Sequence, residues 1–541
     1  MYTKAATLNL MVIALIFSSL MITSCDGILD SEPRDRYSDA VVWEDEQLIN
    51  LFLNDIYKEI PSEFDRATDP LATITDEAAN NRTFTSGWDV NRGDITADSH
   101  PFLGEWGSMY EAIRKCNVFL ENIEDSPVEG DLRDRMIGEV YFLRSMFYLN
   151  LYNFFGRFPI VEEALSPGED LFVPRASEEE SIQFMIDDLN EAASRLPLGY
   201  SGDDVGRATE GAALAMKSRI HLYAENWQQA ADAAQEVMDL GMYDLFPDYG
   251  ELFHPENEWN EEVIFAKRYT NDPSARGQSH SWSWANTPPP IYTAGGIVNP
   301  TGNLVDAYEF QDGTKFDWEN PDHAEDPYSN RDPRFYDTVV YDGVEYLGET
   351  FDMRPDTEYN PSSRPSVTGY YLRKMMDPGY EFGSSIDSPE SMSSNDFIVI
   401  RYAEVLLNYA EAQYEMGNIE EARNFVNKVR ERNPSDPQMP PISSDEFDWD
   451  RYEKERRIEL AFEGHRLWDI NRWEKGPEFR GSDIYEVVVS EEEGEREYDL
   501  QVALEGGSDR YFDERMYLFP IPFEEIQKYP SDNPLEQNPG W

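Results

Sequence analysis

Cysteine is scarce in this sequence, with only Cys25 and Cys116 among 541 residues. Two cysteines cannot form the disulfide framework of a small secreted domain. The six histidines lie far apart in the sequence, and no Cys/His cluster has the spacing of a zinc site. The sequence therefore predicts no metal site, and Cys116, on the apolar face of a predicted helix, is expected in the core.

Positive charge is also in short supply. Lys and Arg number 45 against 107 Asp and Glu, which gives a formal charge of −62, and only 11 of the basic residues are lysines. This charge excludes nucleic acid as a partner, because two polyanions repel each other. An acidic, lysine-poor surface suits high salt, and the alternative is an ordinary acidic secreted protein. With 40% apolar and 13% aromatic residues, the chain can still bury a core.

Long apolar runs are missing except near the N-terminus. Residues 8–22 form an apolar run that follows Lys4, and at about 15 residues it is too short to span a membrane comfortably. The run ends in Leu-Met-Ile-Thr-Ser-Cys, which resembles a lipobox. We expect residues 1–24 to be a signal peptide, Cys25 to be lipidated, and residues 25–45 to form an acidic tether. The alternative is a plain secretory signal with an incidental cysteine.

Catalytic motifs are absent as well. The sequence contains no G-x-S-x-G, no H-E-x-x-H, no phosphate-binding glycine loop and no dinucleotide fingerprint. Pairs of carboxylates could serve a glycosidase, but 107 acids place such pairs together by chance. Asp312, Asp317 and Glu319 could bind calcium, yet the order Asp312-Gly313 breaks EF-hand spacing, so a solvated loop is the preferred interpretation. The sequence predicts neither an enzyme nor a cofactor.

What is present is helical periodicity at both ends of the chain. Apolar spacing predicts two helices within residues 106–155, one over 178–196, and two within 208–240. Ser177 and Glu180 form a capping-box pattern at the start of the third helix. A last helix is predicted over residues 449–473. Residues 246–395 lose periodicity, and we expect loops with a few short strands there, laid over a helical platform.

One helix pair has the spacing of a tetratricopeptide repeat. Its signature residues are Leu406, Tyr409, Ala410, Gly417, Ala422, Val426, Val429 and Pro434. The same offsets recur 192 residues earlier at Leu214, Ser218, Ala230, Ala234 and Val237. Because one repeat cannot bury its apolar face alone, several pairs must stack into a curved platform.

Aromatic residues cluster in two stretches without helix periodicity. Trp282, Trp284 and Tyr292 surround a run of three prolines, and nothing in their spacing provides a core for them to fill. A second cluster combines Asp76 and Arg82 with Trp88. Exposed aromatic faces bind sugars, whose hydroxyls meet flanking polar groups. The alternative is that these rings pin the loops onto the platform.

The C-terminal third carries more specific motifs. They are RYAEVLLNYAEA at residues 401–412, ERRIELAFEGHRLWD at 455–469, FPIP at 519–522 and QNPGW at 537–541. Together with RDPR at 331–334, these motifs resemble the SusD/RagB family of outer-membrane nutrient-binding lipoproteins. The resemblance extends in order along essentially the whole chain.

The resemblance implies an all-α fold of tetratricopeptide-like helix pairs that form a curved platform with long loop-rich insertions. A single SusD-like domain would cover residues 46–541, with a helical part to about 245, a loop-rich ligand region over about 246–395, and a second helical part from about 396. The resemblance also implies a surface-exposed location at the outer membrane. There the protein would bind oligosaccharide without catalysis and deliver it to a SusC-like TonB-dependent transporter.

Ligand contacts in this family imply roles for specific positions. Asp76, Arg82 and Trp88 correspond to an early Asp-Glu-containing loop, and Trp282, Trp284 and Tyr292 correspond only by region. The motif charges are expected to make ion pairs between helices: Glu404, Glu411, Arg456, Glu459, Glu463 and Arg466. Other functions remain as alternatives: a binder of peptide or another nutrient, a transporter assembly module that binds nothing, or a surface glycosidase.

Overall fold

The computed structural model describes residues 39–82, 85–165, 172–270, 278–292, 295–380, 393–432, 439–503 and 507–541. The predicted signal peptide, Cys25 and most of the predicted tether lie outside these residues. The helices are α1 Asp39–Val42, α2 Glu46–Tyr57, α3 Ser86–Arg92, α4 Leu103–Asn122, α5 Gly130–Phe155, α6 Glu178–Ala193, α7 Glu210–Tyr223, α8 Trp227–Asp239, α9 Trp282–Asn286, α10 Gly302–Val305, α11 Pro321–Glu325, α12 Pro333–Thr338, α13 Tyr402–Glu415, α14 Ile419–Glu431, α15 Trp449–Glu459, α16 Arg466–Arg472, α17 Gly476–Phe479 and α18 Phe523–Lys528. None of these helices is long and apolar enough to cross a membrane.

The strands are short and pair in twos. They are β1 Ala78–Asn80, β2 Val263–Lys267, β3 Val298–Pro300, β4 Val339–Val340, β5 Glu345–Tyr346, β6 Glu349–Thr350, β7 Tyr371–Leu372, β8 Phe397–Arg401, β9 Tyr485–Glu492 and β10 Glu495–Val502. The antiparallel pairs are β1–β3, β2–β8, β4–β7, β5–β6 and β9–β10. The predominance of helix confirms the predicted fold class.

The long helices pack in a row. Each of α4, α5, α6 and α7 contacts the next helix in the chain, α8 then packs on α13, and α13 packs on α14. Ten of the predicted repeat positions are buried: Leu214, Ser218, Ala230, Ala234, Val237, Leu406, Ala410, Ala422, Val426 and Val429. Tyr409 is partly exposed, Gly417 lies exposed in the turn, and Pro434 lies outside the described residues. The small side chains at these positions let paired helices approach closely, so the tetratricopeptide-like pairing is confirmed.

Local capping also follows the predicted pattern at α6. The Ser177 hydroxyl accepts a hydrogen bond from the Glu180 amide at 3.2 Å, and the Glu180 carboxylate accepts one from the Ser177 amide at 2.8 Å. The turn between α13 and α14 contains Gly417 at φ +82°. That left-handed conformation suits glycine, which ends the first helix of the pair here.

The middle of the chain contains more than loops laid over a platform. Short strands are present as predicted, but the segment also builds its own hydrophobic core, separate from the main helical core. Trp282, Tyr308, Phe335, Tyr370 and Tyr371 are all fully buried there. The expectation that the rings of this region lack a core is therefore wrong for Trp282, because the partners that bury it come from distant parts of the chain.

The C-terminal part is not helical throughout. The predicted helix over 449–473 is interrupted, since α15 ends at Glu459 and α16 begins at Arg466. Phe462 and Gly464 adopt positive φ values of +65° and +82° in the connection. Residues with such values cannot continue a right-handed helix.

A β-hairpin also lies in the part that was predicted to be helical. Strands β9 and β10 pair over their whole lengths, from Glu492↔Glu495 to Tyr485↔Val502. The two connecting residues, Glu493 and Gly494, both have positive φ, as a type I′ turn requires. The Glu-Gly step and the β-branched residues of β9 are the local signals that the helical interpretation overlooked.

The end of the predicted 25–45 tether packs onto the body. The Trp43 ring lies 5.2 Å from that of Phe52 and 5.7 Å from that of Phe119, measured between centroids. The tether interpretation is therefore wrong for its last residues, because an indole side chain gains free energy by covering the apolar side of α2 and α4.

Buried ion pairs hold the helical core to the middle segment. Six cationic side chains (Arg334, Lys374, Arg401, Arg430, Arg432 and Arg451) and six carboxylates (Glu262, Glu309, Asp332, Glu455, Glu459 and Glu463) form one connected set, here called the charge network. All twelve are buried. Their numbers balance, so the network carries no net charge into the core.

Glu459 is the centre of the charge network. Its carboxylate contacts Arg401 at 2.7 Å and Arg334 at 2.9 Å, and it also pairs with Arg432. Burial alone would raise the pKa of Glu459, but the guanidinium groups of Arg432, Arg401 and Arg334 outweigh burial and hold that pKa well below its usual range. The side chain is therefore ionised in the folded protein.

Replacing Glu459 tests this arrangement. Glu459→Gln keeps the shape but leaves three buried guanidinium groups short of a carboxylate, so we expect the free energy of unfolding to fall by about 3–5 kcal/mol. Glu420→Gln is the matched control, because Glu420 pairs with Arg423 at the surface, where the expected loss is at most about 1 kcal/mol. Denaturant titration followed by circular dichroism measures both. Equal losses in the two variants would contradict the structural role of the network.

Candidate functional site

The β1–β3 ladder brings the two predicted aromatic loops together. Ala78 pairs with Pro300 and Asn80 with Val298, so the residues after Asn80 run beside the residues before Val298. Beyond the ladder, the Asn81 amide donates to the Ile297 carbonyl at 3.0 Å, and its side chain donates to the Gly296 carbonyl at 2.8 Å. Segments more than 200 residues apart in sequence thereby form one surface.

Helix α9 separates the roles of Trp282 and Trp284. Two residues along an α-helix differ in direction by about 200°, so one indole points inward and the other points outward. Trp282 is fully buried in the second core, whereas Trp284 is only partly buried. The prediction that Trp282 contacts ligand is therefore wrong, because its ring packs beside Phe64 at a centroid distance of 5.2 Å.

Trp284 instead pairs with Tyr292. The ring centroids lie 5.5 Å apart with an interplanar angle of 54°, and both residues are partly exposed. A tight return of the chain after Tyr292 makes this contact possible. At Gly295 a Cβ would lie 2.0 Å from the Thr287 carbonyl oxygen, so no other residue fits this close backbone approach.

Arg82 completes this surface. Its guanidinium is partly buried and makes no ion pair within the described part of the chain, and the Asn80 side chain fixes its backbone by accepting from the Arg82 amide at 2.9 Å. Partial burial lowers the pKa of Arg82, the nearby Arg364 lowers it further, and Tyr292 opposes the shift. We call Asn81, Arg82, Trp284, Tyr292 and Arg364 the aromatic platform.

Two of the predicted contacts are structural instead. Asp76 is 2% exposed and binds Arg466 at 2.9 Å and Arg457 at 2.8 Å. Burial opposes its ionisation, but the two guanidinium groups outweigh burial and lower the pKa of Asp76. Trp88 is 5% exposed, and its indole donates to the Asn80 carbonyl. Neither side chain is available to a ligand in this arrangement, so both predictions are wrong.

Two platform residues, Asn81 and Arg364, are not among the predicted ligand contacts. Asn81 is adjacent to Arg82, and its amide side chain could have been included on chemistry alone. Arg364 lies in a Ser-Ser-Arg-Pro stretch without periodicity, and no sequence signal associates it with residue 82. Only the folded chain brings these positions together.

Among the described residues, no arrangement of side chains supports the calcium-binding alternative. No group of three or more His, Cys, Asp or Glu side chains there is placed to hold a metal ion. Asp312 and Asp317 accept hydrogen bonds from the amides of Thr314 and Glu319, both at 2.9 Å. These contacts form local turns.

Comparison with known proteins identifies the family. The family model described as "SusD family" matches residues 261–541, and the one described as "Starch-binding associating with outer membrane" matches residues 28–222. The chain belongs to the SusD family. SusD-like protein P25 of Formosa agariphila is 24% identical over 85% of this chain and 89% of its own length.

Solved structures agree with this membership. A SusD-like protein from Bacteroides fragilis superposes with a TM-score of 0.82 at 30% identity, covering 94% of this chain and 100% of that one. A SusD-like carbohydrate binding protein from the same species superposes with a TM-score of 0.75 at 28% identity, covering 90% of this chain and 99% of that one.

The family motifs of this SusD-like chain have a structural role here, as predicted. Glu404 pairs with Arg219 at 2.6 Å, Arg456 with Asp469 at 2.8 Å, and Glu411 with Arg472. Glu459 and Glu463 belong to the charge network, and Arg466 holds Asp76. The prediction of ion pairs between helices is confirmed for Glu404, Glu411, Arg456 and Glu459. Glu463 pairs instead with Arg401 of β8, and Arg466 pairs with Asp76 in the loop before β1.

The two tryptophans of α9 provide a test of their separate roles. Trp282→Ala removes a fully buried indole and should lower the free energy of unfolding by about 3–5 kcal/mol. Trp284→Ala should lower it by less than about 1 kcal/mol, because the ring lies at the surface beside one partner. Denaturant unfolding measures the free energy of unfolding of both variants. A larger loss for Trp284→Ala than for Trp282→Ala would contradict the assignment of the two rings.

Proposed function

We propose that this protein binds an oligosaccharide or polysaccharide at the cell surface through the aromatic platform. The observation that carries the proposal is the partly exposed Trp284–Tyr292 pair, with ring centroids 5.5 Å apart, near the Arg82 guanidinium, which makes no ion pair with the described residues. Aromatic faces pack against the C–H groups of a sugar ring, and the Arg82 guanidinium at the edge donates to its hydroxyls. The carbohydrate-related names of the family model and of the Bacteroides fragilis relative support this ligand class.

Binding without hydrolysis fits the chemistry of the platform. Glycoside hydrolysis requires two carboxyl groups that flank the scissile bond. The aromatic platform consists of two aromatic residues, two arginines and one asparagine, and none of these is an acid. The proposed role is therefore capture of the glycan and not its cleavage.

The captured glycan would pass to a SusC-like TonB-dependent transporter in the outer membrane. Support comes from the lipobox-like residues before Cys25 and from the family model whose description includes association with the outer membrane. In this proposal the lipid on Cys25 holds the protein at the surface, and the SusC-like partner is inferred from family membership. Several acyl chains on one residue give a stable anchor.

Glycan binding by the chain from residue 26 onward tests the ligand class. We expect one polysaccharide of a panel to bind, and Trp284→Ala and Tyr292→Ala each to weaken its binding at least tenfold, because an aromatic residue at the centre of a contact contributes about 2 kcal/mol or more. Isothermal titration calorimetry gives the dissociation constants.

The control variant is Phe523→Ala, which removes an aromatic side chain that is 42% exposed on α18, outside the platform. It should leave the dissociation constant unchanged. A glycan that binds wild type and all three variants equally would place the site elsewhere, and a panel without any ligand would refute the carbohydrate assignment.

The anchor has its own test. Cys25→Ser should release the protein from the membrane fraction and abolish incorporation of labelled palmitate, since the serine hydroxyl does not replace the cysteine thiol in lipidation. Cys116→Ser is the control, because Cys116 is fully buried and unavailable for modification. Unchanged membrane association of Cys25→Ser would contradict the lipoprotein assignment.

A further inference from the structure

A cavity of about 300 Å³ lies apart from the aromatic platform and shares no residue with it. Its walls include Asp337 at the end of α12, Tyr346 at the end of β5, and Arg373 just after β7, with Asp248 and Glu251 exposed at the edge. This volume is near the lower end of the range for small-molecule sites. It suits a ligand the size of one monosaccharide or one amino acid.

Three polar groups of this cavity have no partner in the described chain. The Asp337 carboxylate accepts no hydrogen bond and forms no ion pair. The guanidinium of Arg373 lies 5.2 Å above the centroid of the Tyr346 ring and makes no ion pair either. Tyr346 is only 8% exposed, yet its hydroxyl makes no hydrogen bond.

Buried side chains elsewhere, such as Tyr308 and Arg331, also have a polar atom without a hydrogen-bond partner; here three side chains with such atoms line one cavity. A larger cavity of about 440 Å³ beside α2 and β2 is lined by Tyr57, Lys267 and Tyr269, whose polar atoms each bond to a carboxylate of the chain. In the charge network, every charged side chain likewise has an ion-pair partner within the protein. A buried polar group without a partner costs free energy, and ligand sites are where such groups are kept.

The surroundings place the Asp337 carboxylate under charge repulsion. Burial raises the pKa of Asp337 to about 6; Arg373 opposes the shift, while Asp248 and Glu251 add to it. The carboxylate also lies directly against the backbone, because a Cβ on Gly250 would approach its Cγ and Oδ1 to 2.6 Å. The carboxylate therefore packs against the Gly250 backbone without an ion-pair partner among the described residues.

The balance of charge indicates what would fill the cavity. Three carboxylates line it, and of the nearby cations Lys374 is bound to Glu463 at 2.7 Å, which leaves Arg373 alone to oppose them. An ammonium group would compensate Asp337 and the edge carboxylates. The free donors of Arg373 and Tyr346 would meet oxygen acceptors of the same molecule.

We propose that this cavity is a second ligand site, which binds a small molecule carrying a protonated primary amine beside oxygen acceptors. Two sources share that chemistry: an amino sugar and an amino acid. The assignment does not depend on glycan binding at the aromatic platform, because the two sites have separate residues and separate test variants.

The experiment is calorimetric titration of the chain from residue 26 onward at pH 7. The probes are glucosamine and glycine, with glucose and N-acetylglucosamine as uncharged counterparts of the amino sugar. We expect one amine to bind with a stoichiometry of one and the uncharged sugars to bind at least tenfold more weakly, since a charged hydrogen bond contributes about 1.5–3 kcal/mol. Binding of glucosamine alone identifies an amino sugar, and binding of glycine alone identifies an amino acid.

Two variants place the site. Asp337→Asn removes the charge at constant shape, and Gly250→Ala inserts a methyl group where the carboxylate lies, so each should weaken amine binding at least tenfold. Asp322→Asn is the matched control, because it makes the same change at an exposed position on α11 and should leave binding unchanged. Thermal unfolding of each variant verifies its fold, and Trp284→Ala should not affect amine binding.

Several results would overturn the proposal. They are no binding of either amine at 10 mM (about the weakest affinity of interest, near −2.7 kcal/mol), equal binding of glucose and glucosamine, and amine binding that survives Asp337→Asn. If both Asp337→Asn and Gly250→Ala failed to fold, Arg373→Gln would serve as the replacement, and unchanged affinity in that variant would count against the site.

Discussion

The charge network centred on Glu459 joins parts of the chain that local sequence preference could not bring together. Arg401 lies at the end of strand β8, Arg432 directly after α14, and Arg334 on α12. The side chains of all three bind the Glu459 carboxylate. Each partner alone would be costly to bury, so the elements that carry them are stable only in their joint arrangement. Guanidinium groups suit this role because their planar donors bind two carboxylates at once.

The buried ion pairs also show where the basic residues of this lysine-poor chain are used. Twelve arginines are buried among the described residues, namely Arg144, Arg219, Arg331, Arg334, Arg401, Arg430, Arg432, Arg451, Arg456, Arg466, Arg480 and Arg510, whereas Lys374 is the single buried lysine there. Many of the basic residues are thus used inside the protein, where buried carboxylates accompany them. High salt would screen the surface but not the interior pairs, so adaptation to salt stays a prediction that the fold neither requires nor opposes.

Sequence reasoning succeeded where the determining contacts are local or periodic. The capping box at Ser177, the turn at Gly417 and the repeated offsets of α7–α8 and α13–α14 all depend on residues within a few turns of each other. It failed where the partner is remote. Asp76 is predicted as a ligand contact from its loop cluster with Arg82 and Trp88 and from the family resemblance, but its partner in the fold, Arg466, lies 390 residues later. Family motifs predicted the ion pairs but could not assign which acid meets which base.

The charge network also determines which polar groups remain available to ligands. Lys374 is committed to Glu463, and its neighbour Arg373 is thereby held at the wall of the 300 Å³ cavity with its guanidinium free. Asp76 is committed to Arg466, which fixes the start of the segment that continues through β1 to Arg82 on the platform. In both places a buried ion pair holds the nearby backbone, so ligand binding there would have less backbone freedom to remove. Preorganisation of this kind is the physical link between the buried ion pairs and the two proposed ligand sites.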